Sequence, residues 1–134
     1  MKQFEVVFPG NKKVDVKFKE FLVKTDQSRK NKGDETAPEP FDLFLSALAS
    51  CAGIYAKSFC DTRGLPAERM KLILEAFFAK GQKTMERVEI TLYVPQSFPE
   101  KYIKPVIKSM AGCAVKNQLH PDINFDTRVI YLED

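Results

Sequence analysis

Cysteine is the side chain in this sequence best suited to covalent chemistry, and there are three: Cys51, Cys60 and Cys113. A thiolate attacks peroxides and disulfides, becomes a sulfenic acid on oxidation, and is closed to a disulfide by a second thiol. Two of the three sit where such reactivity is expected. Cys51 lies in SALASCAGIY, inside a long apolar stretch, and Cys113 lies in MAGCAVKNQL, at a break in a helical pattern. A helix starting at Ala114 would set several unpaired N–H groups and a positive dipole end against Cys113, both favouring its thiolate. The opposing reading is that free cysteine behaves as a small hydrophobe, so a thiol on a buried helix is commonly inert core. Spacing alone leaves both open. Cys60, nine positions after Cys51, falls on the opposite helix face and reads as a spare core or helix-end thiol.

Other chemistry is thinly represented. His120, the sole histidine, sits in LHPD and reads as a loop residue or a C-terminal cation. A zinc site built from Cys113 and His120 would lack any CxxC or HxxxH spacing, so no metal is expected. No Ser/His/Asp constellation or glycine-rich phosphate loop stands out, and Gly10 and Gly33 have the look of turn residues; no cofactor is expected. Lysine and arginine (21) exceed aspartate and glutamate (18) by 3. That excess is small and scattered, where a nucleic-acid partner would need a dense basic stripe.

The elements that must position these thiols follow from pattern. At 134 residues, 44% hydrophobic and 29% charged, the chain has the size and composition of a single globular domain, residues 1–134. Met1-Lys2 leads straight into a charged, alternating stretch with no signal-peptide h-region, so a cytoplasmic protein with reduced thiols is expected. Phe4–Phe8 and Val14–Phe18 flank Pro9-Gly10-Asn11 and predict a hairpin; Phe21–Thr25 predicts a third strand. Asp26–Glu39 is a long polar loop of the kind that often carries function.

Pro40 opens a helix, with Asp42 suited to its positive end, and Arg63-Gly64-Leu65-Pro66 stops it. This helix has almost no polar face in its first four turns, which predicts burial nearly all round. Its greasiest run, Leu43 to Ala56, is interrupted by Ser46, Ser50 and Cys51 and is shorter than the ~20 residues of a membrane span. A chain this short has little to cover so much apolar helix, which points to a dimer sharing the core. Met70–Ala79 and Val88–Val94 predict two strands around Lys80–Thr84, the second with one wet face. Pro99 begins an amphipathic helix capped by Ser97, with a kink or an early break at Pro105; a short helix over Ala114–Leu119 and a strand over Phe125–Leu132 close the chain.

The string PEPFDLFLSALASC, the Arg63-Gly64-Leu65-Pro66 stop and CAVKNQL after a second helix resemble the OsmC/Ohr family of organic hydroperoxide resistance and osmotically inducible proteins. The resemblance covers nearly the whole chain in order. It implies an α+β fold in an intertwined homodimer: N-terminal antiparallel strands, a long central helix bearing the first cysteine, a second strand pair, a second helix broken near the second cysteine, and a closing strand. Many members are peroxiredoxin-like thiol peroxidases that serve as antioxidants in oxidative stress. By resemblance Cys51 is the peroxidatic cysteine and Cys113 the resolving one, organic hydroperoxide is the substrate, and an external dithiol is the reductant. No membrane or nucleic acid takes part.

In such peroxidases an N-terminal arginine, held by a glutamate just before the long helix, supports the first thiolate. Arg29 is the only arginine before Cys51 and is the candidate; beside Lys30 and Lys32 it also reads as a solvated cation. The sequence departs from the pattern at the acid. Ten residues before Cys51 stands Phe41, with Asp42 one later and Glu39 two earlier. Asp42 has two readings, a helix N-terminal acid or a partner of Arg29 or of a second chain. On an unbroken helix it lies about 13 Å from Cys51 along the axis and roughly opposite around it. The departure keeps a rival reading in view: a non-catalytic OsmC-like redox sensor or binder of a small apolar ligand.

Overall fold

A computed structural model describes residues 1–133. The chain forms two compact units, Met1–Phe44 and the remainder from Leu45 onward.

The first unit begins with an antiparallel meander, β1 (Glu5–Gly10), β2 (Lys13–Phe18) and β3 (Phe21–Thr25). Val16 of β2 pairs with Val6 on one side and Val23 on the other, the register that the valine alternation predicts. Asn11 and Lys19 take positive φ in the two connecting turns. Phe4 and Phe18 stack with ring centroids 4.5 Å apart. Several large side chains of the sheet are nonetheless exposed: Phe8 is 78% exposed, Phe21 67% and Leu22 49%.

The polar loop that follows has a fixed centre at Asp26, whose side chain is fully buried. Its carboxylate accepts from the N–H of Gln27 (2.7 Å), the N–H of Thr36 (3.0 Å) and the Thr36 hydroxyl (2.6 Å), with Lys13 Nζ 4.0 Å away. These donors, the Thr36 hydroxyl foremost, hold the acid well below the usual carboxylate range. Gly33 lies against the Gln27 carbonyl so closely that a Cβ would sit 2.0 Å from the oxygen. Only glycine permits that approach.

Helix α1 (Pro40–Thr62) starts in the first unit and continues into the second. The Glu39 carbonyl accepts its first bond, from Leu43, and Asp42 reaches back to the Glu39 N–H at 3.2 Å, the reciprocal half of a capping box. At the other end Leu65 N–H donates to Cys60 O (2.9 Å) and Gly64 N–H to Asp61 O (3.3 Å), with Gly64 at φ +65°. That is a Schellman stop. Burial nearly all round is not reached within one chain: Leu48, Ala52, Ala56, Phe59 and Cys60 form one buried stripe, and Ile54 is 57% exposed. By length and composition α1 could cross a membrane, but the end of its stripe packs on the protein core.

In the second unit β4 (Lys71–Phe78), β5 (Met85–Val94) and β6 (Asn124–Tyr131) form one sheet, with β5 central, antiparallel to β4 and parallel to β6. The parallel pair requires a crossover, supplied by α2 (Ile103–Ala111). The central position explains why β5 lacks the wet face expected of it: Thr91 is buried and Glu89 and Tyr93 are half-covered. Val88, Ile90, Leu92 and Val94 line its core side. Leu92 and Val94 pack with Phe98, Val106, Met110, Ala56, Phe59 and Cys60.

Three local expectations are corrected. α2 does not break at Pro105 but runs on to Ala111, because a 3-10 turn (Glu100–Tyr102) takes up the preceding residues and leaves proline in the first α turn, where its missing N–H has no partner to lose. That turn is entered from Pro99 without a side-chain cap, so Ser97 does not cap it. Beyond α2 the expected helix over Ala114–Leu119 shrinks to one 3-10 turn, Lys116–Gln118.

Candidate functional site

Cys51 sits midway along α1, half-buried, one residue before the fully buried Ala52. Cys113 lies two residues past α2 and is 2% exposed. Its N–H donates to Met110 O (3.2 Å) and its carbonyl accepts from Asn117 N–H (3.2 Å), so the loop is pinned on both sides of the thiol. Both thiols are free. They are neighbours: Cys51 lies near enough to the Cys113 sulfur to disfavour its thiolate. Residues 62 positions apart are thus brought together by α1 and the end of α2.

Burial, the largest influence, pushes the Cys113 thiol above its ordinary value; the Lys116 backbone N–H opposes this, and the neighbouring Cys51 adds to it. The expectation of a helix terminus favouring thiolate therefore fails at Cys113. No α-helix starts there, and one N–H with a nearby ammonium does not outweigh burial. Cys113 is kept as a neutral thiol.

Lys116 is the site residue that pattern reading passed over. Its Nζ donates to Ala111 O (3.1 Å), satisfying a carbonyl at the end of α2, and lies 5.0 Å from the Phe125 ring centroid. Its N–H and its charge both favour the Cys113 thiolate. The signal was present as a lysine three residues after the cysteine in CAVK. Asn117 Nδ2 donates to Gly112 O at 3.4 Å beside it.

Cys60 lies in the core with its Sγ 3.8 Å from Met70 Sδ, and burial, then Asp61, raises its pKa. Arg29 opens a 3-10 turn (Arg29–Asn31), exposed, its backbone N–H donating to Glu35 Oε1 at 3.2 Å. Among the described residues no ion pair joins its guanidinium to Asp42 or Glu39. Asp42 serves the start of α1 instead, and Glu39 Oε1 accepts from Ser28 N–H (3.1 Å) and Asn31 Nδ2 (3.4 Å). His120 Nδ1 accepts from Asp122 N–H at 3.1 Å. Among the described residues no cluster of three or more His, Cys, Asp or Glu could hold a metal.

Comparison with solved structures matches this architecture end to end. A Psychrobacter arcticus 273-4 protein named for osmotic stress and a detoxification response superposes with a TM-score of 0.82 at 20% identity, over 97% of this chain and 96% of that one. An OsmC-like protein of Mycoplasma pneumoniae gives 0.78 at 14% identity, over 99% and 98%. An organic hydroperoxide resistance protein of Elizabethkingia anophelis gives 0.69 at 13% identity, over 98% of each chain. No curated protein matches the sequence significantly. The OsmC-like protein family model matches residues 32–128, well over half of the chain and inclusive of both paired cysteines, and the chain belongs to that family.

Proposed function

We propose that the protein is a thiol-dependent peroxidase that reduces organic hydroperoxides, with Cys51 as the peroxidatic and Cys113 as the resolving cysteine. The observation that carries this reading is the proximity of the two thiols, Cys51 on α1 and Cys113 just past α2. Family membership and neighbours named for organic hydroperoxide resistance support the hydroperoxide as substrate.

The steps balance as follows. Cys51 thiolate attacks one peroxide oxygen, the O–O bond breaks, and the alcohol leaves as Cys51 becomes a sulfenic acid. Cys113 sulfur then attacks the Cys51 sulfur, water departs and a disulfide forms. An external dithiol returns both thiols by exchange and is itself oxidised to a disulfide. Burial keeps Cys113 mostly protonated, which disfavours its direct attack on peroxide, and its thiolate fraction closes on the neighbouring sulfenic acid. Arg29, and Asp42 from the start of α1, are the proposed supports for the Cys51 thiolate in the assembled protein. That assembly is proposed to be a cytoplasmic homodimer, with residues 1–134 acting as one functional domain.

The test is rapid-quench reaction of the reduced protein with one equivalent of cumene hydroperoxide, read by thiol count and mass. Wild type should lose two thiols. Cys51→Ser should lose none rapidly, and Cys113→Ser should stop at a sulfenic acid on Cys51. Oxidation of Cys51 no faster than that of a free thiol would overturn the proposal. It would favour the second reading, a non-catalytic sensor or binder, which Phe41 in place of the acid supports.

A further inference from the structure

An open cavity of about 370 Å³ lies beside the Cys113 loop, entirely within the second unit and outside the thiol pair. Lys116, Asn117, His120 and Asn124 supply its polar lining, and Leu119, Pro121, Ile123 and Phe125 its apolar wall. The polar set is one-sided: one ammonium, one imidazole, two amides and no carboxylate. Lys116 uses one N–H on Ala111 O and rests near the Phe125 ring, which leaves two N–H bonds for a ligand. In His120 the Nδ1 lone pair is taken by the Asp122 N–H, so the proton of the neutral ring is on Nε2, a donor. Asp122, 3.6 Å from Nδ1, is not part of the lining.

From this we infer that the cavity is a binding site for a small organic carboxylate. One formal positive charge and neutral donors suit a single negative charge, and the half-covered aliphatic and aromatic carbon of Leu119, Ile123 and Phe125 suits a short hydrocarbon body. Its volume is at the small end of ligand cavities, roughly 300–1,000 Å³. The inference does not depend on the peroxidase reading.

The experiment is a ¹H–¹⁵N correlation titration of the reduced full-length protein with sodium hexanoate, with hexan-1-ol and sodium acetate as controls. Hexanoate should give saturable shifts confined to residues 111–125, with hexanol and acetate each at least tenfold weaker. Lys116→Met should weaken hexanoate about tenfold, as expected for one lost charge-assisted contact, and Lys116→Arg should restore it. Because Lys116 also caps α2, His120→Phe, at a largely exposed side chain, provides a second variant that should weaken hexanoate severalfold while the spectrum stays native. Hexanol binding as tightly as hexanoate, or shifts scattered over the whole chain, would overturn the inference.

Discussion

At the scale of single residues the two buried thiols govern the pH behaviour. Cys113 attacks as thiolate, yet burial raises its pKa above the ordinary 9.0. Disulfide closure should therefore quicken by about tenfold per pH unit up to and beyond pH 9, without the plateau near pH 7 expected of an activated thiol. Single-turnover closure, followed from pH 6 to 10 after rapid sulfenic acid formation, gives that slope. Lys116→Met removes a charge that favours the Cys113 thiolate, so it should slow closure at any pH below the thiol pKa and leave the first oxidation step unchanged. Cys60 provides the stability counterpart. Its folded pKa also lies above 9.0, so the folded state keeps a proton that the unfolded chain gives up. The associated stability is fully present below about pH 9 and is lost as pH rises through the folded value. Urea unfolding of the reduced protein at pH 8 and pH 10.5 should show a fall that is smaller in Cys60→Ala.

At the scale of elements the ends of the helices and the folded polar loop are the points to probe. Gly64 holds φ +65° with open space around its Cα, so Gly64→Ala meets no clash and measures only left-handed strain, about 1 kcal/mol in chemical unfolding. Gly33→Ala is a different case, because the new Cβ would meet the Gln27 backbone, and it should disrupt the Asp26 loop. Met110→Ala in the core cluster should cost about 2–5 kcal/mol. These elements were unevenly legible in the sequence. A helix end with strong local chemistry, Arg63-Gly64-Leu65-Pro66, fell where pattern put it, whereas Pro9 and Gly10 lie within β1 and the expected turn begins only at Asn11. The early break allowed for at Pro105 did not occur, since its effect depends on where the α turn begins, and that is set by the 3-10 turn before it. The pairing of Cys51 with Cys113 was legible only through resemblance, because a contact between an α1 residue and a loop 62 positions later leaves no local trace. Asp26 was hidden for a similar reason. It looked like one polar residue among many, and its role depends on donors from Gln27 and Thr36 that converge only when the loop folds back.

At the scale of the whole molecule the apolar surface left uncovered by one chain is the dominant fact. Phe8, Phe21 and Leu22 stand exposed on a three-stranded sheet, and Ile54 stands exposed on α1. A three-stranded meander that leaves such large side chains exposed has little to hold it, and a stable monomer rarely shows so many of them together. The proposed homodimer accounts for both patches by covering them with a second copy. Light scattering on the reduced protein should give twice the chain mass down to micromolar concentration. Ile54→Lys and Phe21→Glu, each exposed in the single chain, should then shift the protein to monomer while leaving the Leu92–Met110 core intact. The same variants separate assembly from chemistry. Cys51 and Cys113 meet within one chain, so the disulfide should form inside it, and oxidised wild type should migrate as a single chain on a non-reducing denaturing gel. If the monomeric variants still close that disulfide from a preformed sulfenic acid but form the sulfenic acid slowly, thiol contact belongs to the chain and thiolate activation to the dimer. Wild type that stays monomeric at high concentration would remove the dimer, and with it any support for Cys51 from a partner chain.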